Sequence, residues 1–244
     1  RDTSPVLDDL AREGTRFDTA IAPSSWTLPS HMTMFTGRHP AVHGVRFKEQ
    51  VLKESIPTIT EILKANGYET GGFVGGPFLH RLYGYARGFD VYDDDLASVG
   101  HLRSHHDSTS PVLVQKLLDW LQSRRSILRQ PPFFAFLHLW DVHYDFVPPH
   151  PYDEMFDPDY EGAVDGKNMP EAAVGLAGED LDHLVALYDG EIRFTDHALG
   201  RLFETLREMG IFDSTLIIVT ADHGESFLEH GTFGHSKEIF DESI

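Results

Sequence analysis

The chain has 244 residues, of which 41% are hydrophobic and 24% charged, as is typical of a folded globular protein. Its formal net charge of -19 argues against electrostatic binding to nucleic acid or anionic lipid. It contains no cysteine, which excludes disulfides, thiolate metal sites and cysteine nucleophiles. No stretch approaches the roughly 20 apolar residues of a membrane span, and the N-terminus does not resemble a signal peptide, so the compartment stays open.

The acidic excess is not spread evenly along the chain. Residues 1–50 contain six basic and six acidic side chains, so the excess of negative charge lies after residue 50. An anionic substrate would therefore meet the least electrostatic repulsion in the N-terminal fifth of the chain.

Helix signals alternate with short apolar runs along the sequence. Proline in a first turn, glycine after a last turn and apolar residues at helical spacing mark the helices, and unbroken apolar runs mark the strands. These signals predict helices over 4–14, 29–36, 57–66 and 181–209 and one that begins at Ser110, with strands over 69–75, 133–139 and 215–220.

This order predicts an α/β fold with a mostly parallel central sheet and helices on both faces. The continuous apolarity of 133–139 and 215–220 is typical of strands that are covered on both sides. Ligands of such folds bind beyond the carboxyl ends of the strands. Residues 145–180, rich in Pro, Asp, Glu and Gly, predict a long surface excursion.

Thr27 stands out because Pro29 places it at the start of a predicted helix. The unpaired N–H groups and the dipole of a helix N-terminus favour negative charge, so a threonine hydroxyl there could act as an alkoxide nucleophile. The alternative is that Thr27 is only a helix cap, a common role for threonine.

Acidic and histidine side chains follow two of the predicted strands. Asp222 and His223 follow 215–220 and are suitable ligands for a divalent cation. Taken alone, the pair is interpreted equally well as an aspartate in a turn beside a surface histidine. Asp141 and His143, after 133–139, have the same two interpretations, and so does His235.

Several segments together resemble the sulfatase family of the alkaline phosphatase superfamily. The family signature of a nucleophile, any residue, Pro and Ser, followed by Thr-Gly-Arg and His-Gly, is similar to residues 27–30, 36–38 and 43–44. Segments 5–17, 188–196 and 220–225 match the family in the same order, so the resemblance extends over essentially the whole chain.

The resemblance implies an alkaline-phosphatase-like fold and a set of site residues. It implies that Thr27 is the nucleophile and a metal ligand, and that Asp222 and His223 hold the metal. It also implies that His143 and His235 contact the substrate or its leaving group, or bind a second cation together with Asp141. Three further basic residues are expected to bind the substrate anion: His31, Arg38 and Lys237.

Departures from the family pattern favour phosphorus chemistry. Strict sulfatases oxidise Cys or Ser to formylglycine at the nucleophile position, which threonine cannot supply. His31 stands where those sulfatases have Arg, and their Lys-Trp-His segment has no counterpart near 75–77. His223 stands where calcium sulfatases have Asn. Imidazole is a good ligand for Zn²⁺ or Mn²⁺ and a poor one for Ca²⁺, so Zn or Mn is favoured, with Ca or Mg still open.

The resemblance implies a metal-dependent hydrolase of sulfate or phosphate esters, acting on a small molecule, a headgroup or a glycan. The alternatives are a phosphoglycerol- or phosphoethanolamine-type transferase and an inactive binding protein that keeps the fold. We expect 1–244 to be one catalytic domain, a fragment without the family's first strand and C-terminal part. This polypeptide alone is therefore expected to bind metal weakly.

Overall fold

A computed structural model describes residues 1–97, 108–124, 131–169 and 171–244. Its helices are α1 (Pro5–Glu13), α2 (Thr27–Thr36), α3 (Pro40–His43), α4 (Ile59–Ala65), α5 (Ser110–Ser123) and α6 (Glu179–Glu208). Its strands are β1 (Glu69–Gly75), β2 (Val91–Leu96), β3 (Phe133–His138), β4 (Ser226–Phe227) and β5 (Phe233–Gly234).

Three parallel strands form the central sheet, in the order β2-β1-β3. Val74 of β1 pairs with His138 of β3, so these two strands end together at one edge. Because side chains alternate across a strand, Phe73 and Val74 lie on opposite faces of β1. Phe73 packs with α5 and α6, whereas Val74 packs with α2. This arrangement confirms the predicted α/β fold with helices on both faces of a parallel sheet.

The predicted helices are all present, with small differences at their ends. Helix α2 begins two residues before Pro29, at Thr27, and ends at Thr36, where Gly37 caps it in a left-handed conformation with φ 61°. Helix α4 begins only at Ile59, because Thr58 and Glu61 form a reciprocal capping box that fixes the first turn there.

The predicted buried strand over 215–220 is wrong for the described structure. Its residues belong to no strand, and Leu216 and Ile218 are 86% and 77% exposed. An apolar run becomes a buried strand only when a neighbouring strand accepts its backbone hydrogen bonds and packing covers its side chains. Among the described residues, no strand pairs with this run.

Residues 145–180 lie against the first half of α6. Apart from the short turn Glu171–Ala173 and the start of α6 at Glu179, the described part of this excursion contains no helix or strand. Its apolar side chains Phe146, Met169 and Ala173 are buried with Leu184 and Leu187 of α6. The excursion is therefore packed onto the domain by a small core of its own.

Asp196 ties the N-terminal helix to α6. Its side-chain oxygens accept hydrogen bonds from the backbone N–H groups of Val6 and Leu7, each at 3.0 Å. A buried carboxylate at a helix N-terminus satisfies two donors that have no partner within the helix.

Substitution of Asp196 by alanine is expected to lower the free energy of unfolding by about 2–4 kcal/mol, because two charge-assisted hydrogen bonds disappear. Asp196→Asn keeps one acceptor oxygen and should lose about half as much. Urea titration of both variants measures this. Equal stability of the alanine variant and the unchanged protein would contradict the assigned role.

Of the helices in the described ranges, none combines the length and the apolarity that crossing a bilayer requires.

Candidate active site

The N-terminus of α2 meets the segment that carries Asp222 and His223. Thr27 is buried, and its Oγ1 lies 3.4 Å from Nε2 of His223. Ser30, one turn further along α2, donates a side-chain hydrogen bond to the backbone oxygen of Asp222. Residues nearly 200 positions apart are thus joined at one helix end, close to the carboxyl edge of the sheet.

Asp222 places one carboxylate oxygen between two imidazoles. Its Oδ2 lies 3.3 Å from Nδ1 of His31 and 3.5 Å from Nε2 of His223. Neither contact is aligned as a hydrogen bond, so this buried oxygen has no hydrogen-bond donor among the described residues. Nδ1 of His31 also lies 3.1 Å from the backbone oxygen of Thr27, which links the aspartate to the helix end.

The surroundings set the ionisation of these groups. Burial alone would raise the pKa of Asp222, but the adjacent His31 ring and the rings of His223 and His138 hold that pKa well below its usual range. Burial lowers the pKa of His223, and Asp222 only partly opposes this. Burial also lowers the pKa of His138 to about 3. At neutral pH the site therefore contains an ionised carboxylate beside a neutral imidazole.

His143 and His235 lie beside His223. The ring centroid of His235 is 4.3 Å from that of His223 and 5.0 Å from that of His143. The indole of Trp140 stacks on His143 at 3.9 Å and occupies the space beside Gly76, where a Cβ atom would come within 2.2 Å of the ring. Glycine at this position, with φ 82°, lets the tryptophan orient His143.

The donor set fits a divalent cation. The hydroxyl oxygen of Thr27 and Oδ2 of Asp222 lie 3.4 and 3.5 Å from Nε2 of His223. Ligands held about 2.1 Å from a tetrahedral ion are about 3.4 Å apart, so these separations match a shared ion. A buried carboxylate oxygen without a donor and a neutral imidazole are what such an ion requires.

Two predicted site residues, Arg38 and Asp141, lie apart from this group. Arg38 is exposed two residues beyond the last residue of α2, a helix of ten residues that begins at Thr27 and is about 15 Å long. Lys237 is also exposed, two residues after His235. Asp141 uses both carboxylate oxygens to cap α5, accepting hydrogen bonds from the backbone N–H groups of Thr109 and Ser110 at 2.5 and 2.6 Å. His31 is brought in, but its Nδ1 faces Asp222.

Glu191 of α6 is a second buried carboxyl group, near Asp141. Burial raises the pKa of Glu191 to about 9, and the charge of Asp141 adds to this shift. A folded-state pKa above the unfolded value of 4.5 means that the folded protein holds the proton more tightly. The contribution of this proton to the free energy of unfolding is fully present below about pH 4.5. It decreases as the pH rises toward 9.

Glu191→Gln should remove this pH dependence, because glutamine cannot ionise. We expect the variant to match the unchanged protein near pH 4.5 and to exceed its free energy of unfolding at pH 8.5. The two curves should diverge with a slope of up to about 1.4 kcal/mol per pH unit. Urea titrations at several pH values measure this. Parallel curves would show that Glu191 ionises normally.

Two residues of the site carry no clear sequence signal. His138 is the last residue of β3, and its ring lies 4.9 Å from that of His31. Its position at a strand end is the only feature that could have marked it. Glu225 contacts His235 through both carboxylate oxygens, at 3.0 and 3.1 Å. The strand pairing that brings these two together cannot be inferred from spacing alone.

A separate group of potential metal ligands lies in the excursion. The potential ligand atoms of His150, Asp153 and Glu154 lie within 4.8 Å of one another. No other such group of His, Asp and Glu is found among the described residues. The His150 side chain is 71% exposed and all three residues come from one turn. Exposed acidic turns of this kind occur often without a metal.

Comparison with known proteins identifies relatives along the whole chain. The sulfatase family model matches residues 1–242. The ulvan-active sulfatase of Formosa agariphila is 25% identical over 266 aligned residues, which cover 99% of this chain and 50% of that protein. The chain thus spans about half the length of the curated relatives it matches.

Solved structures show the same fold. The phosphonate monoester hydrolase of Agrobacterium radiobacter matches with a TM-score of 0.76 and 22% identity, covering 98% of this chain and 61% of that one. A structure in complex with its substrate D-glucosamine-2-N,6-O-disulfate matches with a TM-score of 0.75 and 18% identity, covering 96% and 64%. With 242 of its residues accounted for by one family model, the chain belongs to the sulfatase family.

Proposed function

We propose that the protein is a metal-dependent hydrolase of phosphate or sulfate esters in which Thr27 is the nucleophile. The observation that carries this proposal is that Oγ1 of Thr27 and Oδ2 of Asp222 lie 3.4 and 3.5 Å from Nε2 of His223, and that Oδ2 has no hydrogen-bond donor within the described part of the chain. Family membership supports ester hydrolysis as the reaction class. Thr27, Asp222 and His223 would hold the metal, and Zn²⁺ or Mn²⁺ suits an imidazole-containing set.

The metal, when bound, lowers the pKa of the Thr27 hydroxyl and neutralises charge on the substrate anion. Oγ1 of Thr27, having lost its proton to water, forms a bond to phosphorus or sulfur while the opposite ester bond breaks. The backbone N–H groups at the start of α2 stabilise the charge on the remaining oxygens. His143 or His235 gives the leaving oxygen its proton, and water then cleaves the threonine ester and restores the hydroxyl.

Phosphorus esters are the proposed preference within this class. An alkoxide nucleophile needs no oxidised side chain, and threonine cannot be converted to formylglycine. The name of one structural relative, a phosphonate monoester hydrolase, agrees with phosphorus chemistry. Another structural relative was solved with its substrate D-glucosamine-2-N,6-O-disulfate, which suggests a sugar as the part of the substrate that leaves.

We further propose that residues 1–244 form one catalytic domain and that, in the full-length protein, the run 215–220 pairs with a strand from outside them. The exposure of Leu216 and Ile218 supports this, since large apolar side chains at these values usually mark a missing contact. Arg38, which lies apart from the group, would contact only a substrate large enough to extend to it, whereas Lys237, exposed two residues after His235, would contact the substrate anion.

A panel of nitrophenyl esters tests the function in the full-length protein. We expect the highest kcat/KM on a phosphodiester or phosphonate monoester, a lower value on the sulfate, and loss of all turnover with a chelator until Zn²⁺ or Mn²⁺ is returned. Transfer to an added polyol instead of water would indicate the transferase. No turnover of any ester with metal present would contradict the proposal and leave the inactive binding protein.

A further inference from the structure

Glu225 forms a buried pair with His235 and has no role in the proposed mechanism. Nδ1 of His235 lies 3.0 and 3.1 Å from the two carboxylate oxygens of Glu225, and both side chains are only 8% exposed. Within the described ranges, His235 is the one ion-pair partner found for Glu225. A buried carboxylate is retained only when its partner and geometry compensate for its lost hydration.

The β4–β5 hairpin fixes this pair. Ser226 pairs with Gly234 in an antiparallel register, so Glu225 and His235 are the next opposed residues at the open end of the hairpin. Phe227 and Phe233 anchor the two strands in the small core beside α6. The contact between carboxylate and ring is thus set by backbone pairing as well as by side-chain rotamers.

The direction of the His235 ring follows from this contact. Because Nδ1 faces the carboxylate, Nδ1 carries the ring proton and donates a hydrogen bond to Glu225. Nε2 is then the ring nitrogen that is available to other groups of the site. The ring lies beside those of His223 and His143, at centroid distances of 4.3 and 5.0 Å. His235 is therefore held against the proposed site in a single tautomer and orientation.

We infer that Glu225 is a positioning residue, which holds the His235 ring with Nδ1 on the carboxylate and leaves Nε2 to take up the proton that Thr27 loses to water and pass it to the leaving oxygen. This inference rests on the proposed function for its catalytic consequence, but the tautomer can be measured without any substrate. Carboxylates that orient a histidine in this way typically contribute about 10- to 100-fold to activity.

The test compares Glu225→Met, which keeps the length and removes the acceptor, with Glu225→Gln, which keeps an acceptor oxygen. In protein labelled with 15N-histidine, NMR should show the Nδ1–H tautomer of His235 in the unchanged protein and in Glu225→Gln, and its loss in Glu225→Met. Glu229→Gln, in the same hairpin but bonded to Phe227 N, is the matched control and should change nothing at His235.

Kinetics then separates positioning from folding. We expect Glu225→Met to lower kcat about 10- to 100-fold with KM within about threefold, and to have no further effect when His235 is already alanine. An unchanged tautomer in Glu225→Met, or an equal loss of kcat in the His235→Ala background, would overturn the inference. If no ester is turned over by the unchanged protein, the proposed function fails while the NMR result still decides the positioning.

Discussion

Replacement of Thr27 by alanine is expected to lower kcat by at least about 10³-fold on the best ester of the panel, with folding intact. The reason is that Oγ1 is the only proposed nucleophile, and its removal leaves the metal and the helix N–H groups to act on a directly attacking water. Such residual catalysis is usually several orders of magnitude slower. Steady-state kinetics with a circular dichroism check of folding measures the effect.

Two variants control this result. Thr27→Ser keeps the hydroxyl and should stay within about tenfold of the unchanged protein. Thr33→Ala removes a hydroxyl from the same helix, where it bonds the backbone oxygen of Pro29 at 3.0 Å, and should leave kcat near its normal value. Mass spectrometry of acid-quenched protein should find the phosphoryl or sulfuryl group on Thr27. Turnover of Thr27→Ala within tenfold of normal would remove Thr27 as nucleophile.

Replacement of Asp222 by asparagine is expected to weaken metal binding at least about 100-fold and to lower kcat accordingly. Asparagine keeps the size of the side chain and removes its charge, so the cation loses its only anionic ligand among the described members of the set. Because the pKa of Asp222 lies well below its usual range, the unchanged carboxylate is ionised throughout the assay range.

Calorimetric titration with Zn²⁺ and Mn²⁺ in the full-length protein measures this change. A bound metal stabilises the folded state by about 2.7 kcal/mol at 100 times its Kd, so the thermal shift on metal addition should also disappear. Asp213→Asn, an exposed aspartate in the turn before the 215–220 run, is the control and should bind metal normally. Equal metal affinity of Asp222→Asn and Asp213→Asn would contradict the ligand assignment.

Local sequence patterns were sufficient to predict the helix ends and two strands of the central sheet. Proline, capping residues and glycine placed the ends of α1 and α2 within two residues, and the apolar runs located β1 and β3. The prediction of a strand over 215–220 is wrong because an apolar run indicates only that its side chains favour burial. The run does not indicate whether a neighbouring strand is present to pair with it.

The candidate site was predictable only in part, for a geometrical reason. The resemblance to the sulfatase family implied that Thr27, Asp222 and His223 hold one metal, and these residues do lie together. The side-chain pairing of His31 with Asp222 and of Glu225 with His235 depends on rotamers and strand register, which no spacing in the sequence reveals.

The central claim is that Thr27, Asp222 and His223 share one cation. Anomalous diffraction from crystals of the full-length protein grown with Mn²⁺ tests it most directly. We expect a peak about 2.0–2.4 Å from Thr27 Oγ1, Asp222 Oδ2 and His223 Nε2. A peak found only at the exposed trio of His150, Asp153 and Glu154, with none between Thr27 and Asp222, would contradict it.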